Sequence, residues 1–373
     1  MEYRPVWAEV NLWALRANVA ALVAHVSPAS VLAVVKADAY GHGANAVAHA
    51  ALEAGATRLG VALVEEGQRL RDAGISAPIL LMSEPVPTAA PATVALGLTP
   101  LVYTFAGIEA LAKAVVELDA PRPYAVHLNI DTGMHRVGCA PGDAVAMAEA
   151  IAAFEELELA GICTHFATAD RPRDPYIEYQ RARFFEALQT LRATGHSEGV
   201  IHLANSAAAI TLPEVRADFV RTGISMFGVH PVSDAAPDIA LHPVLSLHAR
   251  VTYVHEIPAG ASVSYGRYYA AAETTRIATV PIGYADGVPR GLGLRGGSVL
   301  IGGVRRPIAG AVTMDQLMVD CGNDRVEVGD DVVLIGQQGS EEISVQEWAD
   351  RMDTIPYEIL CGISGRVPRR VRG

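Results

Sequence analysis

The stretch Val31-Leu32-Ala33-Val34-Val35-Lys36-Ala37-Asp38-Ala39-Tyr40-Gly41-His42-Gly43 decides how the rest of the chain is read. Its first five residues are apolar and small or branched, the composition of a strand buried on both faces, as in a parallel sheet. A lysine ending such a strand places its amine at the sheet's edge, half out of water. Desolvation there disfavours the ammonium form and lowers the pKa. A neutral amine forms a Schiff base with an aldehyde. The glycines that follow permit a tight turn or the close approach of a bulky group. On the strand and the lysine alone, a solvated strand-end lysine is the commoner arrangement.

Working outward, short apolar runs alternate with amphipathic stretches as far as residue 230. The expected strands are 31–35, 59–63, 79–82, 100–103, 124–130, 159–165, 200–204 and 219–227, with helices such as 108–118, 143–154 and 176–193 between them. Strand, helix, strand at this spacing means a parallel sheet with helices outside. Eight such strands suggest an α/β fold of the (β/α)8 TIM-barrel type, whose chemistry lies at the strands' C-terminal ends. Lys36, Arg136, His165, Ser206 and Arg221 all fall at or just past those ends. The pattern changes at 231–243, rich in proline and acidic residues, which reads as a linker. Beyond it, 244–257, 276–281, 299–301, 317–321 and 332–335 read as strands and 345–352 as one helix, a mostly antiparallel β domain. The expected division is a barrel at 11–233 and a mostly β C-terminal domain at 234–373. Residues 1–10 alternate apolar and polar and are expected to add a strand.

Length and composition agree with two domains: 373 residues exceed one typical core. Hydrophobic residues make up 51% and the net charge is −12, which opposes a broad nucleic-acid surface. The basic run 366–372 lacks interleaved aromatics and reads as a solvated end. Cys139, Cys163, Cys321 and Cys361 lie far apart, which excludes a zinc ribbon or CxxC site by spacing and suits small core residues in a reducing compartment. No basic segment followed by an apolar one opens the chain, and no apolar run is long enough to span a bilayer. The expected address is cytoplasmic, with no membrane and no metal.

The string Val-Val-Lys-Ala-Asp-Ala-Tyr-Gly-His-Gly-Ala resembles the pyridoxal-phosphate lysine motif of alanine racemases. The likeness returns at Asp131-Thr132-Gly133-Met134-His135-Arg136-Val137-Gly138, Ala204-Asn205-Ser206-Ala207-Ala208 and Arg221-Thr222-Gly223-Ile224-Ser225-Met226-Phe227-Gly228. It continues at Val263-Ser264-Tyr265-Gly266, Gly283-Tyr284-Ala285-Asp286-Gly287, Met314-Asp315-Gln316 and Pro356-Tyr357-Glu358. These strings run in the family's order along almost the whole chain.

The resemblance implies that Lys36 carries pyridoxal 5'-phosphate and is a base on one face of the substrate. It implies that Tyr265 is the base on the other face, supplied by the partner of a homodimer. A tyrosine has a reference pKa near 10, so neighbours must tune it; His165 and Arg221 match its supporting groups. Arg221 also matches the arginine at the pyridine nitrogen. Arginine keeps its proton, the ring is then a weaker electron sink, and racemisation is favoured over transamination. Phosphate contacts are implied for Tyr40, Ser206, Tyr357 and the amides of Gly223 and Ile224, with Ser206 also suited to cap a helix. Arg136 matches a residue at the phenolic oxygen and the substrate, and Met314 one whose amide meets the substrate carboxylate. Tyr284 and Asp315 resemble entrance residues. Two positions depart from the pattern: Asn129 replaces a lysine that the family often carbamylates, and Phe227 replaces a tyrosine. Asn129 cannot carry a carbamate, so a chloride between Asn129 and Arg136 is the expected substitute. The implied activity is interconversion of L- and D-alanine. Alternatives are a broad-specificity amino-acid racemase, a non-catalytic pyridoxal-phosphate carrier, which lacks the second domain, and a decarboxylase, which offers the ring nitrogen an acid.

Overall fold

The computed structural model describes residues 3–171, 173–196, 199–232 and 239–373. The part of the expected linker at 233–238 lies outside the described residues. The described residues form two compact units: one takes those up to Ala14, Tyr40–Gly43 and Pro243–Gly373, and the other takes Leu15–Ala39 and those from Ala44 to His242.

The N-terminal strand is β1, Val6–Asn11. The next eight are β2 (Ser30–Val34), β3 (Arg58–Val61), β4 (Ile79–Leu81), β5 (Thr99–Val102), β6 (Tyr124–Asn129), β7 (Leu157–Cys163), β8 (Val200–His202) and β9 (Phe219–Thr222). Strands β2 to β9 form one eight-stranded sheet in the order β8-β7-β6-β5-β4-β3-β2-β9. The strand pairings β2–β3, β3–β4, β4–β5, β5–β6, β6–β7, β7–β8 and β2–β9 are all parallel. The sheet closes on itself through Asp218 N–H to Ile201 O at 3.1 Å and Arg221 N–H to Ala204 O at 2.9 Å. This is the expected (β/α)8 barrel. All its strands point the same way, so Val34, Asn129, Cys163, His202 and Thr222 end at one rim.

The helices form as their periodicity dictates. In Phe105–Glu117 the buried residues include Ile108, Leu111, Ala112 and Val115, spaced three and four apart. Burying each large one contributes about 1.5–3 kcal/mol. Thr104 caps this helix by accepting from Gly107 N–H at 3.0 Å. The barrel interior is partly polar: Gly161 in β7 leaves room for His127, since a Cβ there would lie 2.6 Å from the imidazole Nδ1.

The second unit is mostly antiparallel. It contains β10 (Leu245–Arg250), β11 (Tyr253–Ile257), β12 (Ser262–Val263), β13 (Tyr269–Ala270), β14 (Thr275–Val280), β15 (Ser298–Ile301), β16 (Val304–Pro307), β17 (Leu317–Asp320), β18 (Asp331–Gln338), β19 (Glu341–Ile343) and β20 (Arg369–Arg372). Strand β1 lies between β10 and β20. The single run expected at 244–257 is two strands in different sheets, broken where Val251 N–H turns to Asp330 O and Thr252 N–H to Thr279 O. A second helix, Pro356–Gly362, joins the expected one at Val345–Met352. Its proline start suits a first helical position, but seven residues are too short a run to show a helical period.

Candidate active site

Lys36 stands two residues past the end of β2, after Val31–Val35, all of them buried. It opens the helical segment Lys36–Gly41, whose residues Ala37, Asp38, Ala39 and Tyr40 have φ between +52° and +55°. This turn is left-handed, and each non-glycine residue in it costs about 1–2 kcal/mol. Side chains offset the cost. Ala37 N–H donates to Glu66 Oε1 at 2.7 Å, and Ala44 N–H donates to Asp38 Oδ1 at 2.7 Å. The other oxygen of Glu66 accepts from Ala62 and Leu63 N–H at 2.8 and 3.2 Å. One carboxylate thus ties the backbone beside Lys36 to the end of the adjacent strand β3. Glu66 was not singled out from the sequence; its place at the third position of the helix Val64–Asp72, where a carboxylate caps, was the available signal.

Arg221, near the end of β9, is 7% exposed. Its Nη1 donates to His202 Nδ1 at 2.7 Å and His202 O at 3.0 Å. Its Nη2 donates to Thr164 O at 2.8 Å, Leu203 O at 3.0 Å and His165 Nδ1 at 3.0 Å. Arginine only donates, so both imidazoles must accept at Nδ1 and carry their proton on Nε2. His202 then donates from Nε2 to His127 Nδ1, 2.9 Å away. Burial, then the charge of Arg221, hold His165 and His202 well below the ordinary histidine range; Arg136 and Lys36 act on His165 in the same direction. His127 is lowered to about 4 by burial and the charges of Arg58 and Arg221. Burial also lowers the pKa of Arg221, but five acceptors surround its cation. The rim therefore holds one fixed guanidinium and neutral histidines of defined tautomer. His165 was expected here. His202 and His127 were missed: a lone histidine in an apolar strand carries no spacing signal.

Next to Arg221, Ser206 Oγ accepts from Gly223 N–H at 2.8 Å. Ser206 is not the helix cap. Asn205 is, with extended backbone and Oδ1 accepting from Ala208 N–H at 3.1 Å. The Ser206 hydroxyl keeps its own proton to donate. Thr222 Oγ1 and Ser225 Oγ, on either side of Gly223 and Ile224, are buried without a protein partner. This strand end is rich in donors and suits an anion.

Arg136 lies in the loop after β6 and is exposed, so the chloride expected beside it would not meet a buried cation. Asn129 Nδ2 donates to Val137 O at 3.1 Å, and its Oδ1 accepts from Cys163 Sγ at 3.4 Å. Asp131 binds His135 at 3.0 Å rather than Arg136. Cys163 is a core residue, as are Cys139 and Cys321, whereas Cys361 is exposed. The expected groups Lys36, Arg136, His165, Ser206, Arg221, Gly223 and Ile224 all belong to the barrel unit.

Tyr40, Tyr265, Met314 and Tyr357 belong to the other unit. Tyr40 is buried, its ring centroid 5.8 Å from that of Tyr357. Burial, with Tyr357 and Cys361 nearby, pushes its phenol up. Gly41 is required here, because a Cβ would lie 2.8 Å from Leu360 O. Tyr265 is 72% exposed, in the loop between β12 and β13, and Met314 is 52% exposed. Met314 O accepts from Ala285 N–H at 3.1 Å and Thr313 O from Tyr284 N–H at 2.9 Å. Asp315 pairs with Arg366 at 2.7 Å.

Comparison with known proteins gives these groups a context. The chain matches the model of the alanine racemase N-terminal domain over residues 10–231 and that of the C-terminal domain over 244–371. An alanine racemase of Symbiobacterium thermophilum is 47% identical over 98% of this chain and 97% of its own length. The alanine racemase from D-cycloserine-producing Streptomyces lavendulae superposes with a TM-score of 0.94 at 39% identity, covering 100% of this chain and 98% of that one. That of Bacillus anthracis, solved with bound L-Ala-P, gives 0.93 at 38%, covering 100% and 96%. With two domain models in order and relatives matched end to end, the chain belongs to the alanine racemase family.

Proposed function

We propose that this chain racemises alanine with Lys36 and Tyr265 as bases on opposite faces of the substrate. Interconversion of L- and D-alanine is the activity its family relationship gives it, and D-alanine so made feeds cell-wall peptidoglycan. The observation that carries the residue assignment is the rim around Arg221. Its guanidinium is locked by five acceptors, beside a neutral His165 and a donor-rich anion cradle.

The rim fits pyridoxal phosphate. Ser206 has a free proton to give, and Thr222 and Ser225 are buried hydroxyls without partners. When bound, the cofactor supplies the sink for electrons released at the substrate's α-carbon. Lys36 would hold it through its amine. Ser206, Gly223 and Ile224, with Tyr40 and Tyr357, are assigned to its phosphate, Arg221 to its ring nitrogen and Arg136 to its phenolic oxygen and the substrate. Arg221 cannot easily surrender a proton. His165, with its proton fixed on Nε2, has a donor to offer a phenol or phenolate. Lys36 and Tyr265 each take or return the α-proton on their own face, and Met314 offers its amide to the substrate carboxylate. Chloride beside Asn129 and Arg136 is retained as a proposal: one N–H of Asn129 Nδ2 remains for an anion. No described helix is long and apolar enough to cross a membrane; we assign the enzyme to the cytoplasm.

Tyr265 is proposed to act in the site of a partner copy in a homodimer. Mixing inactive Lys36→Ala and Tyr265→Ala chains tests this. Half the dimers in an equal mixture are mixed, each with one intact site, so activity should return to about a quarter of the wild-type level. No recovery after verified subunit exchange would mean that each chain builds its own site.

A further inference from the structure

We propose that Ser264 is a positioning residue for Tyr265, holding the tyrosine's backbone through a hydrogen bond to Ala311. The inference rests on the reading of Tyr265 as a base. Ser264 has φ +67° and ψ 177°, a combination that is essentially reserved for glycine. A non-glycine residue persists there only when its surroundings over-determine it. Here they do. Ser264 Oγ donates to Ala311 O at 2.6 Å. Gly310, at φ +84°, lies so close that a Cβ on it would stand 2.9 Å from Val263 O and 3.2 Å from Ser264 Cβ.

The rest of the loop is tied at its base. Ser262 pairs with Ala270 and Val263 with Tyr269, and Arg267 Nε donates to Ser262 Oγ at 2.7 Å. Tyr265 itself is 72% exposed. Little packing within its own chain aims the phenol, so its direction comes from the backbone on either side. Of the two non-glycine residues with positive φ in this loop, Ser264 at +67° and Arg267 at +54°, Ser264 adjoins Tyr265 directly and has its side chain anchored outside the loop, on Ala311. A glycine would reach the same dihedral angles without strain but would have no hydroxyl. The serine is therefore explained by its hydrogen bond and not by its backbone.

Ser264→Gly and Ser264→Ala separate the two roles. Both lose the bond to Ala311, and only alanine keeps the strain. Thermal unfolding should rank glycine above alanine, while kcat/KM should fall in both by about tenfold to a hundredfold, the scale of a small misplacement of a reacting group. The equilibrium ties the two directions together, so kcat/KM must fall equally for L- and D-alanine. Isotope effects need not. With α-deuterated substrates, the effect should rise for the enantiomer whose proton goes to Tyr265 and shrink for the other. A uniform structural loosening would move both the same way, and that result would overturn the inference. So would a glycine variant with wild-type rates. Tyr265→Phe is the control: if it keeps full activity, the reading of Tyr265 as a base fails, whereas an inactive Tyr265→Phe beside a normal Ser264→Gly sinks only the role of Ser264.

Discussion

The barrel rim and the hairpin of β12 and β13 present their proposed bases by different means. At the rim, Lys36 follows five buried residues, and the groups around it are held by side chains of the same unit, the half-buried Glu66 and the buried Arg221. Arg221 is 7% exposed and Tyr265 is 72% exposed. The rim residues Lys36, His165, Ser206 and Arg221 all come from one unit. The hairpin offers an aromatic residue to solvent on a backbone held by its own pairing and by the bond from Ser264 to Ala311. If Tyr265 serves a partner copy as proposed, the difference teaches that a group presented to another molecule is aimed by its backbone, because the packing that would otherwise hold it belongs to the recipient. Four experiments bear on this contrast.

The largest effect is expected at the rim. Lys36→Ala removes both the covalent anchor and one base; loss of a general base alone is worth roughly 10²–10⁴-fold, and the combined loss should exceed that. Borohydride should fix pyridoxal phosphate to Lys36, as peptide mass analysis would show. The only other lysine, Lys113, is 73% exposed and pairs with Glu117 on a helix. Cofactor reduced onto Lys113 would break the contrast at its root.

Arg221→Glu tests whether the locked guanidinium sets the reaction type. A carboxylate can share a proton with the ring nitrogen, so racemisation should fall by about 10²-fold or more while transamination gains relative to it. Pyruvate formation per racemic turnover measures the ratio. An unchanged ratio would remove Arg221 from the ring nitrogen.

Burial of neutral histidines makes the rim pH-sensitive. His127 has a folded pKa of about 4 against about 6.5 unfolded. The unfolded chain therefore binds the extra proton first. The stability is fully present above pH ~6.5 and is lost as pH falls towards ~4, about 2–4 kcal/mol in all. His127→Gln keeps an acceptor for His202 and should flatten that slope in urea melts at pH 7, 6 and 5. A slope like that of the wild type would show that His127 is not buried neutral.

The smallest effect is expected at Asn129. Since Arg136 is exposed, a chloride there neutralises less than a buried one would, and removing chloride should lower activity by no more than a few-fold. Bromide should occupy the place in anomalous diffraction, and Asn129→Lys should exchange chloride sensitivity for bicarbonate sensitivity. A structure of the dimer with no density there would end the idea.

Much of this was legible in the residues themselves. Period and composition locate all eight barrel strands, because a strand buried on both faces must be apolar throughout. The expected ends overrun by one or two residues at the first seven strands and by five at 219–227, where the strand ends at Thr222 and a short turn of helix takes over. Lys36, His165 and Arg221 were recognisable through the family strings they match; ending an apolar run does not by itself single them out. The partners of those residues were not. The acceptors of Arg221 are largely backbone carbonyls from β7 and β8, and their arrival at one guanidinium is a product of barrel closure. The left-handed turn after Lys36 and the glycine-like backbone at Ser264 also run against local propensity. Local sequence determines which segments are strands and which residues interrupt them, since periodicity and burial act within a few residues. Tertiary structure alone decided the histidine tautomers, the bonds of Glu66 and the anchoring of Ser264 to Ala311, because each depends on groups brought together from distant parts of the chain.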